Sequence, residues 1–177
     1  MSTTSMDEGA LIQAARTGDE LAFDSLVGPL VDPAFRLAVV FLRDPNEAQD
    51  AVQEATLKAW RSLDRLRKDA AIRPWFLSIV ANQCRSMRRA RWSSVLKLDN
   101  LTRPDAGIDE RHDLQIDLDR ELAKLPSTDR AVLFLFFYLD LPLGEVGRIL
   151  GISPQAAKSR VHRAVSRLRL GMVEVAK

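Results

Sequence analysis

Apolar residues in this chain recur at spacings of three and four almost throughout, and no run alternates apolar and polar residues between hairpin turns. A period near 3.6 aligns one face of an α-helix, whereas a half-buried strand needs a period of two. The expected fold class is therefore all-α. The 177 residues leave room for one ordinary domain or two small ones, and too little for a large enzyme. Hydrophobic residues make up 46% and charged residues 28%, the balance of a folded protein with a packed core rather than of a disordered tail or a membrane protein.

Local signals place the helices. From Asp19 onward Leu21, Phe23, Leu26, Val27 and Leu30 form an apolar stripe, and Pro33 is expected to break or bend the path before residues 35–42 resume it. Asp44, Pro45 and Glu47 then supply a cap, a first helical position and an acid three residues after the cap. The helix they open is expected to reach about Leu63. It would pack Ala48, Ala51, Val52, Ala55, Ala59 and Trp60, and turn Glu47, Asp50, Gln53 and Glu54 the other way.

A further helix is expected from about Ile72 to Trp92, with Phe76, Ile79, Val80, Cys84 and Met87 as its core stripe. Asn82, Arg85, Arg88, Arg89 and Trp92 would form its outward face. That mixture suits a nucleic-acid strand: guanidiniums neutralise phosphates, an indole stacks on a base, and an amide bonds a base edge. Residues 93–115 hold Pro104, Gly107 and an acidic cluster without sustained periodicity, which reads as a flexible linker whose length decouples the two halves. The expected organisation is thus two small helical domains, 8–92 and 116–172. In the second, Leu125-Pro126 ends a helix, and Ser127 or Thr128 is expected to cap the next one, from Asp129 to about Leu139. The aromatic-rich residues 134–138 would be either core or a surface kept for a partner.

Residues 143–170 carry the most specific pattern, a helix, a short turn and a longer helix. Val146, Ile149 and Leu150 give the first helix its apolar side, Gly151 its left-handed stop, and Ser153-Pro154 start the second. Gly144 is a poor helix former there, whereas Gly147, being small, lets the two helices approach. In the second helix Ala157, Val161, Ala164 and Leu168 point inward, while Gln155, Lys158, Ser159, His162 and Arg163 point outward. This is a helix-turn-helix with a small, polar, basic face of the kind that enters a major groove. Lys158 and Arg163 can donate to guanine, and Gln155 or Ser159 can bond several bases. Arg160, Arg167 and Arg169 flank that face and suit phosphates.

Charge is segregated although the net is only +2. Arg73, Arg85, Arg88, Arg89 and Arg91 form one basic block, Arg148 to Arg169 another, and an acidic stretch lies between them. Basic blocks are the footprint of a polyanion. Cys84 has no partner for a disulfide and reads as a buried thiol in a reducing compartment. Cys84, His112 and His162 lack metal-ligand spacing, and neither a phosphate-cradling glycine loop nor a nucleophile with a paired base is present, so no catalysis, metal or cofactor is expected. The longest apolar run, residues 131–139, falls well short of the ~20 residues of a spanning helix, and a cytoplasmic protein without membrane insertion is expected.

The ordered set Asp50, Gln53, Glu54, Trp60, Arg73-Pro74-Trp75, Ala81-Asn82 and an arginine cluster resembles the promoter-melting domain of extracytoplasmic-function sigma factors. Leu125-Pro126, the helix-turn-helix and Lys158-Ser159-Arg160-Val161-His162-Arg163 resemble the upstream-element-reading domain of the same family. The resemblance implies that Asp50, Gln53 and Glu54 dock on bacterial RNA polymerase core. It implies that Asn82, Arg85, Arg88, Arg89 and Trp92 read the minus-ten element, with residues 64–71 helping to hold a flipped base. Gln155, Lys158, Ser159, Arg160, His162 and Arg163 would contact the minus-thirty-five element of promoter DNA. The acidic linker would thread the polymerase's RNA channel, and an anti-sigma factor is a further implied partner. An autonomous helix-turn-helix regulator is the alternative that residues 143–170 alone would allow.

Overall fold

The computed structural model describes residues 3–67, 70–95 and 113–175, with side chains described over 8–67, 70–91 and 118–172. The described residues form eight α-helices and no strand, in the order α1 (Thr3–Arg16), α2 (Glu20–Leu42), α3 (Pro45–Ser62), α4 (Ile72–Val95), α5 (Asp113–Lys124), α6 (Ser127–Leu133), α7 (Leu143–Leu150) and α8 (Pro154–Val175). A 3₁₀ turn, Leu63–Arg65, follows α3, and a π-helical turn, Phe134–Tyr138, continues α6. α4 and α5 run into the expected linker from either side; the rest of that linker and the Trp92 side chain lie outside the described residues.

α2 is the axis of the first unit, with α1, α3 and α4 packed on it. Pro33 was expected to break or bend this helix, yet helical structure continues through both Pro29 and Pro33. Neither proline has an N–H to offer the preceding turn, at a cost of ~3 kcal/mol or more in a helix interior. The opposing gain is tertiary: Leu26, Val27, Ala34, Leu37, Ala38 and Phe41 are all buried, and each large apolar side chain contributes roughly 1.5–3 kcal/mol on burial. The same stripe makes α2 long and apolar enough to cross a membrane by length and composition alone, but here it serves as the wall of a protein core. Leu21, assigned to the stripe, is instead 78% exposed.

α3 starts as its sequence dictates. Asp44 Oδ1 accepts from the backbone N–H groups of Asn46 at 2.8 Å and Glu47 at 3.1 Å, with Pro45 at the first helical position. Ala48, Ala51, Val52, Ala55 and Ala59 are buried, and Trp60 meets Phe23 edge-on at 5.0 Å between ring centres. Trp60 and Trp75 both pack on the core. α1, which carries no marked amphipathic pattern, still helps to fix the loop after α3. Arg16 donates to the carbonyls of Leu63 and Leu66, and Glu8 Oε1 accepts from the backbone N–H of Ile72 at the start of α4.

In the second unit α7 and α8 pack on each other, α6 and α5 pack on α8, and Gly151 closes α7 at φ 65°. Gly147 lies against the turn backbone: a Cβ there would stand 2.7 Å from the carbonyl oxygen of Ile152. One expectation fails at α6. Neither Ser127 nor Thr128 caps it, because the helix starts at Ser127 with Pro126 in the cap position and no side-chain cap bond. Both hydroxyls serve long-range contacts instead. The aromatic residues 134–138 divide: Leu135 is buried, Phe134 and Phe136 are half-buried, and Phe137 and Tyr138 lie largely in solvent. The expected decoupling of the halves is also not what the structure has. α4 packs on α7 and α2 on α6, and one apolar core runs from Ile12 to Val161 across both units.

Candidate functional site

Three polar faces emerge from this scaffold, each fixed by the apolar face behind it. On α3 the alanine side is buried in the core, so Asp50 and Gln53 project fully into solvent and Glu54 partly. Glu54 stands 3.7 Å from Lys58 one turn on, an exposed pair worth only a few tenths of a kcal/mol. Asp50 and Gln53 make no hydrogen bond or ion pair with other described residues. Glu47, at the start of the same helix, is instead taken by Arg91 of α4 at 3.1 Å.

α4 has a wider buried side than the expected stripe. Phe76, Leu77, Val80, Ala81 and Cys84 are wholly buried, whereas Ile79 and Met87 are partly so. Burial pushes the Cys84 thiol up to about 12, so it stays protonated and unreactive at neutral pH. Asn82 and Arg89 are exposed, as expected. Arg85 and Arg88 face the second unit: Arg85 Nη2 donates to the carbonyl of Ile149 at 3.2 Å, and Arg88 Nη1 donates to Ser127 Oγ. Burial, and next the charge of Arg89, holds the Arg85 guanidinium below its ordinary value.

Asn82 lies in an open cleft of about 420 Å³ between the end of α3 and α4, lined also by Lys58, Arg61, Ser62, Arg65, Ile79, Gln83 and Ser86. Lys58 Nζ donates to Gln83 Oε1 at 2.6 Å, joining its two walls. Lys58, Arg61 and Arg65 were missed on the sequence. Their spacing of three and four puts them on one basic stripe, a signal hidden by attention to the carboxylates earlier in α3.

On α8 the outcome is close to expectation. Ser153 Oγ accepts from the backbone N–H of Ala156 at 3.1 Å, starting the helix. Ala157 and Ala164 are fully buried and Val161 nearly so, while Gln155, Lys158, Ser159, His162 and Arg163 are all exposed. None of those outward side chains has a hydrogen-bond or ionic partner among the described residues. Arg160 is the exception to the group. It turns onto α6, 3.1 Å from Thr128 Oγ1 and 3.5 Å from Asp129, whose other oxygen lies 3.1 Å from Arg167. The buried Asp129 carboxylate therefore clamps α8 to α6 through two arginines expected to lie on phosphates.

Comparisons with known proteins agree with this layout. Residues 26–94 match the family Sigma-70 region 2, and residues 115–168 match Sigma-70, region 4. The chain is 32% identical over 162 residues to the ECF RNA polymerase sigma factor SigM of Mycobacterium tuberculosis, covering 91% of this chain and 82% of that one. It is 28% identical over 141 residues to the RNA polymerase sigma factor SigV of Bacillus subtilis, covering 79% and 84%. Among solved structures it resembles the sigma factor RpoE of Bartonella quintana, in complex with the anti-sigma factor NepR, with a TM-score of 0.75 at 24% identity over 85% of this chain and 96% of that one. It also resembles CnrH, in complex with the cytosolic domain of CnrY, with a TM-score of 0.72 at 24% identity over 97% and 99%. A stand-alone regulator would need only the second unit, and the matches span both.

Proposed function

This chain belongs to the extracytoplasmic-function (ECF) family of RNA polymerase sigma factors, and on that premise we propose which of its surfaces does each part of the work. The carboxylate and amide ridge of Asp50, Gln53 and Glu54 docks on a basic surface of core polymerase. The cleft beside Asn82, with Arg85, Arg88, Arg89 and Trp92, takes the minus-ten strand. The face of Gln155, Lys158, Ser159, His162 and Arg163 reads the minus-thirty-five element. The observation that carries this reading is that Asp50 and Gln53 of the ridge and the outward side chains of α8 are exposed without a partner among the described residues, and Glu54 has only a weak surface pair with Lys58, so the fold does not explain them.

Physical chemistry assigns the roles. Carboxylates repel phosphates, so the α3 ridge is unsuited to DNA and suited to a basic protein surface, where charge complementarity sets encounter rate and specificity. The cleft has room for a planar base, and its Asn82, Lys58 and Arg61 side chains offer donors to a base edge and to the adjoining phosphates. Extruding a base costs a few kcal/mol, which hydrogen bonds and stacking in such a pocket offset. On α8, Lys158 and Arg163 are free to donate to guanine in the major groove. Arg160 supports the recognition helix from behind rather than by touching DNA.

The protein's part is recognition and strand opening, without catalysis or a cofactor of its own, in the cytoplasm and without membrane insertion. The exposed Phe137 and Tyr138 are suited to a protein partner, and the structural relative RpoE, solved with the anti-sigma factor NepR, points to an anti-sigma factor as its class. The deciding experiment is Asp50→Lys with Glu54→Lys. Both sites are solvent-facing, so helical content by circular dichroism stays as in the parent, while co-purification with core polymerase and run-off transcription are lost. Unchanged co-purification would refute the docking ridge.

A further inference from the structure

Gln83, the residue after Asn82 on α4, lines the same cleft, and its Oε1 accepts from Lys58 Nζ of α3 at 2.6 Å. Its neighbours Ala81 and Cys84 are wholly buried, so the core fixes the direction in which Gln83 leaves the helix. An ammonium donates and never accepts, which obliges the amide to turn its oxygen toward Lys58. Lys58 is held in place from its other side by Glu54, 3.7 Å away on the same helix. The amide nitrogen of Gln83 makes no hydrogen bond with other described residues.

A free glutamine is ambivalent: its oxygen accepts, its nitrogen donates, and a half-turn about its last bond exchanges the two. Such a group suits any base edge. A charge-assisted bond to the oxygen, the stronger kind, blocks that exchange and leaves Gln83 a donor. The basic side chains around it add to the bias, since Lys58, Arg61 and Arg65 all line the cleft and have no acceptor of their own. An unstacked base is read on its pairing edge. There a cytosine or thymine offers more acceptors than donors, whereas adenine balances them and guanine offers more donors. We propose that Gln83 is a specificity-determining residue of the cleft, set as a donor by Lys58, and that it selects a single-stranded pyrimidine over a purine. The inference deepens the assignment of this cleft to the minus-ten strand and rests on it. Lys58 acts here as a positioning residue, through Gln83 rather than on the base.

The test uses the full chain assembled with core polymerase, and single-stranded oligodeoxynucleotides that carry the minus-ten element of a promoter selected with that holoenzyme. Each position of the element is made dT, dC, dA or dG in turn, and affinity is read by fluorescence anisotropy. The parent is expected to favour pyrimidine over purine at one position by roughly fivefold, the ratio that one hydrogen bond of ordinary net strength supplies. Two variants question that position. Gln83→Glu replaces the donor by an acceptor, and Lys58→Met removes the ammonium and keeps an unbranched stem. Both residues are partly exposed, so helical content by circular dichroism stays as in the parent. Each variant makes the cleft less positive and lowers affinity for every strand, so the readout is the pyrimidine-to-purine ratio. Gln83→Glu should abolish or reverse that ratio at one position and at no other. Lys58→Met should bring it close to one at the same position, because the released amide meets donors and acceptors alike. A uniform loss of affinity in both variants with every ratio kept overturns the proposal and leaves the minus-ten cleft standing. A ratio that changes in Gln83→Glu and not in Lys58→Met overturns the setting of the amide by Lys58. Strand affinity that responds to neither variant, nor to Asn82→Ala, removes the minus-ten reading of the cleft as well.

Discussion

α4 and α8 are both long basic helices assigned to DNA, and they differ in what their basic faces do when no DNA is present. The outward side chains of α8 are solvated and unpartnered, whereas Arg85 and Arg88 of α4 are bonded to the neighbouring unit. The reason is architectural. α8 rests on α6 and α7 through Ala157, Val161 and Ala164, leaving its far side bare. α4 lies between the rest of the first unit and α7, with Leu77 and Ala81 buried beside Phe76 and Val80, so the side that carries Arg85 meets the second unit while Asn82 and Arg89 stay in solvent. An exposed basic face can be assigned from helical periodicity; a face shared between a partner domain and a ligand cannot.

The sharpest way to separate the two helices is to disarm α8 alone. Lys158→Ala with Arg163→Ala should remove roughly 1–3 kcal/mol for each well-made base contact, the largest effect expected of the changes that tell the two helices apart. The measurement is run-off transcription on promoters with an intact or scrambled upstream element. Parent and variant should differ strongly on the first and little on the second. Equal sensitivity of both proteins to base changes in that element would break the assignment. Arg160→Ala should behave differently, lowering stability through the loss of the Asp129 and Thr128 contacts without changing which bases are preferred.

A second change attacks the support under α8 and spares α4. A Cβ on Gly147 would meet the Ile152 carbonyl oxygen at 2.7 Å and the Pro154 nitrogen at 3.3 Å. Both are backbone atoms, so no rotamer relieves the clash. Gly147→Ala should therefore cost about 1–3 kcal/mol, the range for overpacking, read as a lower midpoint in urea. The damage falls on the angle between α7 and α8, so upstream-element recognition should suffer at temperatures where co-purification with core polymerase through α3 persists. Loss of both together would mean that the shared core transmits the strain to the first unit.

How far each element was legible follows from the range of the interaction that decides it. The start of α3 could be read because Asp44, Pro45 and Glu47 settle it within four residues, and the turn of the helix-turn-helix because Gly151 and Ser153 act on their immediate neighbours. The course of α2 could not, because burial of residues distant in sequence outweighs the local preference of Pro33. The start of α6 failed for a related reason: Ser127 and Thr128 are good capping residues by type, but their hydroxyls are claimed by Arg88 and Arg160 from other helices. At the site, the α3 ridge and the α8 face were correctly placed outward because an apolar stripe fixes the opposite face. Arg160 was not, since nothing near it in sequence reveals the buried Asp129. The same blindness produced two independent halves where the structure has a shared core.

Gly144 provides the finest discrimination, because it lies one turn before Gly147 in the same short helix and has open space where Gly147 has backbone. An added Cβ at Gly144 meets nothing within 4 Å, and the residue lies in the first turn of α7 with no positive φ. Gly144→Ala should then act chiefly through the unfolded chain, whose freedom it reduces, and stabilise by about 0.4–1 kcal/mol. The expected reading is a small rise in urea midpoint with unchanged promoter selectivity, opposite in sign to the Gly147 variant three residues further on. A fall in stability at Gly144 would show that α7 needs flexibility at its start as well as close packing at its end. The bond from Arg85 to the Ile149 carbonyl would then rest on a softer helix than its geometry implies.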